Sequence, residues 1–448
     1  MASAADRRAD LLHPEIETIG AAELARLQEA KWARQWDHVR AASAFYRGPY
    51  REKFGRDLPA AVTLDGLEAL ALTEKDEIKA GQERAYPLGE HVAADPAQIV
   101  RFHRTSGTTG RAMVIAYSAK DAAIVARIGG RGYYTAGLRP GDRVVHCLNY
   151  CLWTGGVTDH MALEAAGATV VPFGVGHTEQ LLQIIIELGV NALSSTPSYP
   201  ALMEKVLRET MGREPRSLGL RLGLFGGEAG LDNEGFRDRL EATWGFKVRN
   251  ANFGLSEVMS ILGSQCEATN DLHFIAGDAV FAEILDPASG RRLPIREGTT
   301  GELVCTNLEK ECQPLVRYRA RDVITVTGPD TCRCGRTSWR FRVTGRTDDM
   351  FNVRGVNVFP TALQRIVAGM GDIVSGHFRI VLEGPGPYDR VKLKVEAAKG
   401  VAEADRPAIA RAIEDAVRRG IGASAEVTMI AFEALPRTAG KTSLIERI

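Results

Sequence analysis

Short apolar runs alternate with amphipathic, helix-length segments from about Ser118 to beyond Asp232, and this alternation constrains the fold more than any other feature of the chain. Strand-like runs stand at 143–148, 168–172, 191–193 and 221–225. Helical segments begin near Ser118, Gly156, His177, Pro197 and Asp232. Strands joined by helical crossovers pack as right-handed βαβ units, so the pattern predicts an α/β fold whose sheet is mostly parallel, with helices on both faces. Upstream, Leu24, Leu27, Trp32, Trp36 and Val39 recur at helical spacing and predict an amphipathic packing helix over 21–42.

The pattern changes twice. From His273 the helical signal gives way to short β-like runs at 280–285 and 301–305, separated by Gly and Pro, which reads as an antiparallel β subdomain over about 273–345. The last hundred or so residues carry strand runs at 376–383, 390–397 and 425–432 around a helical segment at 405–419, which reads as a small α+β domain. At 448 residues the chain exceeds one ordinary core. The division expected is a large domain over 1–345 and a small, mobile C-terminal domain over 346–448.

Charge narrows the partners. Lys plus Arg (56) equals Asp plus Glu (56), so no long-range field attracts nucleic acid or an anionic membrane. No apolar run is long enough to span a bilayer and the N-terminal residues lack the apolar core of a signal peptide, so a cytoplasmic enzyme with reduced thiols is expected, by default a homodimer.

Thr105-Ser106-Gly107-Thr108-Thr109-Gly110-Arg111 is the stretch that reads most directly as chemistry. Four hydroxyls and two glycines outline a phosphate cradle, and the alternating residues at 98–102 put it at a strand end, where α/β proteins place ligands. An ordinary polar turn has the same composition. A Walker A loop is excluded, because GxxxxGK[ST] does not run through these residues. A separate cluster is formed by Cys266, His273, Cys332 and Cys334: three thiols and an imidazole suit a closed tetrahedral zinc site, with Gly335 easing a Cys-x-Cys turn. Buried reduced cysteines near an unrelated histidine are the alternative, and Cys305 and Cys312 are spare ligand candidates.

Five stretches in one order resemble the adenylate-forming superfamily of acyl- and aryl-CoA ligases: 105–111, Phe253-Gly254-Leu255-Ser256-Glu257, Tyr318-Arg319-Ala320-Arg321-Asp322, Gly345-Arg346-Thr347-Asp348-Asp349-Met350, and Gly440-Lys441. The continuation into Arg354-Gly355-Val356-Asn357-Val358-Phe359-Pro360 is most similar to the phenylacetate-CoA ligase-like group, supported by Trp153-Thr154-Gly155-Gly156 and Ser195-Thr196-Pro197-Ser198-Tyr199. The resemblance runs from about residue 30 to the end of the chain. It implies an ATP-dependent ligase that forms an acyl-AMP and then passes the acyl group to coenzyme A.

The resemblance assigns roles residue by residue. Lys441 supplies positive charge where a carboxylate attacks the α-phosphate of ATP, the encounter of two anions that most needs it. Thr105, Ser106, Gly107, Thr108, Thr109 and Gly110 wrap the outer phosphates, Thr109 counting among the catalytic set. Glu257 holds Mg²⁺; a glutamate after Ser256 also suits a helix cap. Asp322 accepts from the ribose hydroxyls, with a salt bridge to Arg319 or Arg321 as its other reading, and Arg346 belongs to the same nucleotide-binding set. Gly226, Gly227 and Glu228 let a purine lie against backbone, with Phe253 over its other face beside Gly254. Phe253 stands where the family usually has Tyr, and Arg111 where it usually has Lys.

Asp348 and Asp349 would form the hinge about which the small domain swings, and Arg354 and Gly355 a loop facing CoA. By analogy the acid pocket comprises Asn149, Tyr150, Trp153, Gly155 and Asn252, where flat side chains without fixed charge suit an aryl or arylacetic tail. The same rings also suit a packed core. Two other functions stay open: a biosynthetic adenylating enzyme serving a carrier-protein thiol, and a nucleotide-binding protein without turnover.

Overall fold

The computed structural model describes residues 10–105, 112–228, 231, 234–329, 331–435 and 444–448. Ser106, Gly107, Thr108, Thr109, Gly110, Arg111 and Lys441 lie outside the described residues. The chain forms two compact units, one of Met1–Gly227, Trp244–Ala320 and Thr325–Arg342, the other of Glu228–Thr243, Arg321–Ile324 and Val343–Ile448.

Strands are numbered in chain order. β1 (Ile99–Arg104) and β2 (Val114–Ser118) pair antiparallel in a sheet of their own. β1 ends at Arg104, so Thr105 follows a strand end, as the alternation at 98–102 predicts.

The parallel layer is built from β3 (Arg143–His146), β4 (Thr169–Pro172), β5 (Ala192–Ser195), β6 (Leu222–Gly226) and β7 (Lys247–Leu255), in the order β4-β3-β5-β6-β7. Helices Thr154–Ala165, Thr178–Glu187, Tyr199–Met211 and Glu234–Trp244 connect these strands, as the alternation predicts. After β7 the chain reverses into β8 (Met259–Gln265) and β9 (Leu272–Phe274), both antiparallel to their neighbours. The sheet then runs on through β10 (Val280–Leu285), β11 (Arg292–Leu293), β12 (Thr300–Asn307), β13 (Tyr318–Gly328) and β14 (Arg340–Arg346), twelve strands ordered β11-β10-β12-β13-β14-β9-β8-β7-β6-β5-β3-β4.

Helix Ala119–Thr135 starts on a capping box in which Ser118 and Asp121 exchange bonds with each other's backbone N–H. Its glycines permit very close packing. A Cβ on Gly129 would lie 2.5 Å from Cβ of Ala162, and one on Gly130 2.8 Å from Cβ of Ala165. Two helices thus meet nearly backbone to backbone, an approach that offsets the ~1 kcal/mol each interior glycine costs a helix.

In the second unit, β17 (Val374–Leu382) and β18 (Val391–Ala397) form the centre of a four-stranded sheet with β19 (Ala425–Ile430) and β20 (Ile445–Arg447), ordered β19-β18-β17-β20. Helix Arg406–Ile421 presents Ile413 and Val417 to Phe378, Ile380, Leu393 and Val395. Helix Pro360–Ala368, absent from the sequence reading, adds Leu363 and Val367 to this core. The tight hairpin of β15 (Phe351–Val353) and β16 (Val356–Val358) precedes it. Among the described residues no helix is long and apolar enough to cross a membrane.

Candidate active site

β6 and β7 bring the first group of predicted residues together. Gly226 ends β6, and a Cβ there would lie 2.6 Å from Cβ of Asn252, so only glycine allows the Asn252 side chain to lie across it. Gly227 turns away at φ 79°, and its Cβ position is 3.4 Å from the indole of Trp153. The same indole covers Gly155, 3.2 Å from the Cβ position there. Trp153, Gly155, Gly226, Gly227 and Asn252 thus form one small wall. Phe253, half-buried, points its ring edge-on at Phe341, with centroids 5.3 Å apart.

Asn149 and Tyr150 are engaged elsewhere. The Asn149 side-chain oxygen accepts from the backbone N–H of Cys151 at 2.8 Å. Tyr150 meets His160 Nδ1 at 2.9 Å through its hydroxyl and packs edge-on against His146.

Glu257 is buried, and three contacts hold its segment. Gly254 fits against β8 so closely that a Cβ would lie 2.0 Å from the carbonyl oxygen of Ser260. Lys310, itself buried, donates its ammonium to the backbone oxygen of Glu257. The carboxylate pairs with Lys75 at 2.6 Å. Burial works against ionisation of Glu257, yet the adjacent Lys75 and Lys310 charges outweigh it and hold its pKa below the ordinary glutamate value. Neither lysine was singled out in the sequence, because both reach Glu257 from distant segments.

Asp322 and Arg346, in the second unit, are bonded at 3.0 Å, and the same guanidinium grips Asp348 through two bonds of 2.9 Å. Arg319 is held by Glu302 and Glu74 instead. Asp349 is raised above the usual aspartate range by burial and by the neighbouring Asp348 charge. Arg354 and Gly355 both take positive φ, 49° and 87°, as the two-residue turn between β15 and β16 requires.

The cysteine and histidine cluster assembles as expected from the four named residues. The potential ligand atoms of Cys266, His273, Cys332 and Cys334 all lie within 4.8 Å of one another. Sγ of Cys266 and Cys332 are 3.9 Å apart, and Sγ of Cys334 is 3.5 Å from Nε2 of His273. A tetrahedron with ordinary zinc bond lengths has S···S edges of ~3.8 Å and S···N edges of ~3.5 Å. His273 Nδ1 meets the hydroxyl of Ser338 at 3.0 Å, the kind of outer partner that fixes a ligating imidazole.

Residues 25–307 match the AMP-binding enzyme family and residues 355–446 the AMP-binding enzyme C-terminal domain. The chain belongs to the AMP-binding enzyme family. Within that family it is 33% identical to a protein named phenylacetate-coenzyme A ligase from Thermus thermophilus, over 96% of this chain and 97% of that protein. It is 34% identical to one of the same name from Pseudomonas putida, over 96% and 95%. A solved structure of a 2-hydroxyisobutyryl-CoA ligase in the postadenylation state with 2-HIB-AMP matches at a TM-score of 0.88 and 28% identity, covering 97% of this chain and 92% of that one.

Proposed function

We propose that this chain is an ATP-dependent aryl-CoA ligase acting in two half-reactions. A carboxylate oxygen attacks the α-phosphorus of ATP, pyrophosphate leaves, and an acyl-AMP results. The sulfur of coenzyme A then attacks the acyl carbon, and AMP leaves as the thioester forms. The observation that carries this reading is the 33–34% identity, over 96% of this chain, with proteins named phenylacetate-coenzyme A ligase.

The roles are those that the family resemblance implies. Lys441 meets the α-phosphate during the first half-reaction, and residues 105–110 receive the outer phosphates. Phe253 and the Gly226–Gly227 backbone flank the base, and Asp322, oriented by Arg346, takes the ribose hydroxyls. Mg²⁺ neutralises phosphate charge, and Glu257 is the residue that would hold it; a buried carboxylate kept ionised by Lys75 is a hard oxygen ligand of the right kind. Zn²⁺ would be held by Cys266, His273, Cys332 and Cys334, with no ligand position left for water, so its role is structural. Asp348 and Asp349 serve as the hinge and Arg354 and Gly355 face CoA. The enzyme is cytoplasmic and works as a homodimer, which size-exclusion chromatography with light scattering would check.

Pyrophosphate exchange over a panel of aromatic acids, with and without CoA, tests the reading. Acid-dependent exchange with a CoA thioester as product supports it. Exchange without thioester would transfer the second half-reaction to another acceptor, and no exchange with any acid would end the ligase reading.

A further inference from the structure

Behind the wall formed by Trp153, Gly227 and Asn252 lies a run of buried polar groups that an all-hydrocarbon acid pocket has no use for. Asp159, on helix Thr154–Ala165, is fully buried, as is His146, while Tyr133 and Ser194 are each 1% exposed. His146 Nε2 faces the carbonyl oxygens of Gly155 and Gly156, so it carries the proton and donates. Its Nδ1 then accepts from Ser194 Oγ at 3.0 Å. Tyr133 donates its hydroxyl to Asp159 Oδ2 at 3.2 Å, and Asn252 Nδ2 donates to the same oxygen.

Asp159 Oδ2 takes two of these bonds, and Thr158, whose hydroxyl also faces the Thr154 carbonyl, lies 3.5 Å from Oδ1 as a weak donor. Burial drives the Asp159 pKa well above the aspartate value and favours the neutral carboxyl. Every member of the run points inward except one. With Nδ2 turned to Asp159, the amide oxygen of half-buried Asn252 is left over, and among the described residues it has no hydrogen-bond partner. The Asn252 side chain lies across Gly226, beside the turn whose Gly227 Trp153 covers.

We propose that Asp159 is a positioning residue for substrate selection: it locks the Asn252 amide so that its oxygen faces the acid site, and the enzyme selects carboxylic acids that carry a hydrogen-bond donor, a hydroxyl or an amine, over their hydrocarbon parents. This rests on the ligase reading above. A site built around an oriented polar group discriminates strongly, because an analogue without the donor leaves that group unpaired.

The test is kcat/KM for pyrophosphate exchange with benzoate, phenylacetate, hydroxy- and amino-substituted benzoates and phenylacetates, and a short aliphatic hydroxy acid. The wild-type enzyme is expected to favour a donor-bearing acid over its parent by about tenfold or more. Asp159→Ala and Asn252→Ala are expected to bring that ratio close to one, whereas Asp159→Asn, which keeps an acceptor for the Asn252 amide, retains most of it. A folding defect lowers both acids equally and leaves the ratio alone, so the ratio separates positioning from simple stability. Preference for the aromatic or for the aliphatic donor-bearing acid identifies the carrier of the donor. Equal use of phenylacetate and its hydroxylated analogues by the wild-type enzyme would overturn the proposal while leaving the ligase reading intact. Absence of exchange with every acid would end both.

Discussion

Stripping the zinc proposed for the Cys266, His273, Cys332 and Cys334 cluster is expected to lower the thermal midpoint by roughly 6 °C, and the figure follows from chain entropy. A metal held there would join Cys266 to Cys332, 66 residues apart, and so act as a cross-link. Closing a loop of that length removes about 4 kcal/mol of unfolded-state entropy. A unit on the order of 300 residues unfolds with an entropy near ~0.7 kcal/mol per kelvin, so the quotient is about 6 °C. The assay is calorimetry on protein purified without chelator, then after chelation, then after zinc is returned, with metal content measured at each stage. Cys332→Ser should show the lowered midpoint from the start and gain little from added zinc. Because all four ligands come from the protein and the site has no position for water, exchange activity at low temperature should survive removal. Protein that purifies with less than about half an equivalent of zinc, or a midpoint that moves by less than ~1 °C on full removal, would refute the reasoning.

Gly254→Ala places a methyl 2.0 Å from the Ser260 carbonyl oxygen, a backbone atom that cannot step aside, and should cost about 3 kcal/mol or more by urea unfolding, with loss of exchange through displaced Phe253 and Glu257. Lys441→Ala should abolish pyrophosphate exchange yet spare CoA-thioester formation from pre-made acyl-AMP; equal loss of both would place the lysine elsewhere. Asp159 has a folded pKa well above 3.8, so the stability it contributes is complete below that pH and is lost as pH rises toward the folded value. Asp159→Asn removes this dependence, so its stability relative to wild type should grow with pH by up to ~1.4 kcal/mol per unit as pH rises above the ordinary aspartate range. A difference that stays flat there would mean Asp159 is ionised in the folded protein.

The parallel half of the large sheet was legible because β3, β4, β5 and β6 are short apolar runs between helical segments, and that period survives without any knowledge of partners. The hairpin of β1 and β2 and the reversal from β7 into β8 were not, since antiparallel pairing is decided by which edge a strand meets, and nothing local to 98–102 or 247–265 states that. The same division holds for the site. Cys266, His273, Cys332 and Cys334 could be picked out because thiols and an imidazole are rare enough to stand out in the sequence.

Asp159, His146, Ser194 and Tyr133 carry no such mark. Each sits in a segment that otherwise reads as core, and each is explained only by a partner from a different element: helix Ala119–Thr135, β3, β5 and helix Thr154–Ala165 all contribute. A buried polar group without partners costs ~1–3 kcal/mol, so four of them sharing one interior are tolerable only when their donors and acceptors close on each other. They close everywhere but at the oxygen of Asn252. The proposed preference for a donor-bearing acid is therefore read from the amide oxygen that this group leaves over, which no inspection of residue types along the pocket would disclose.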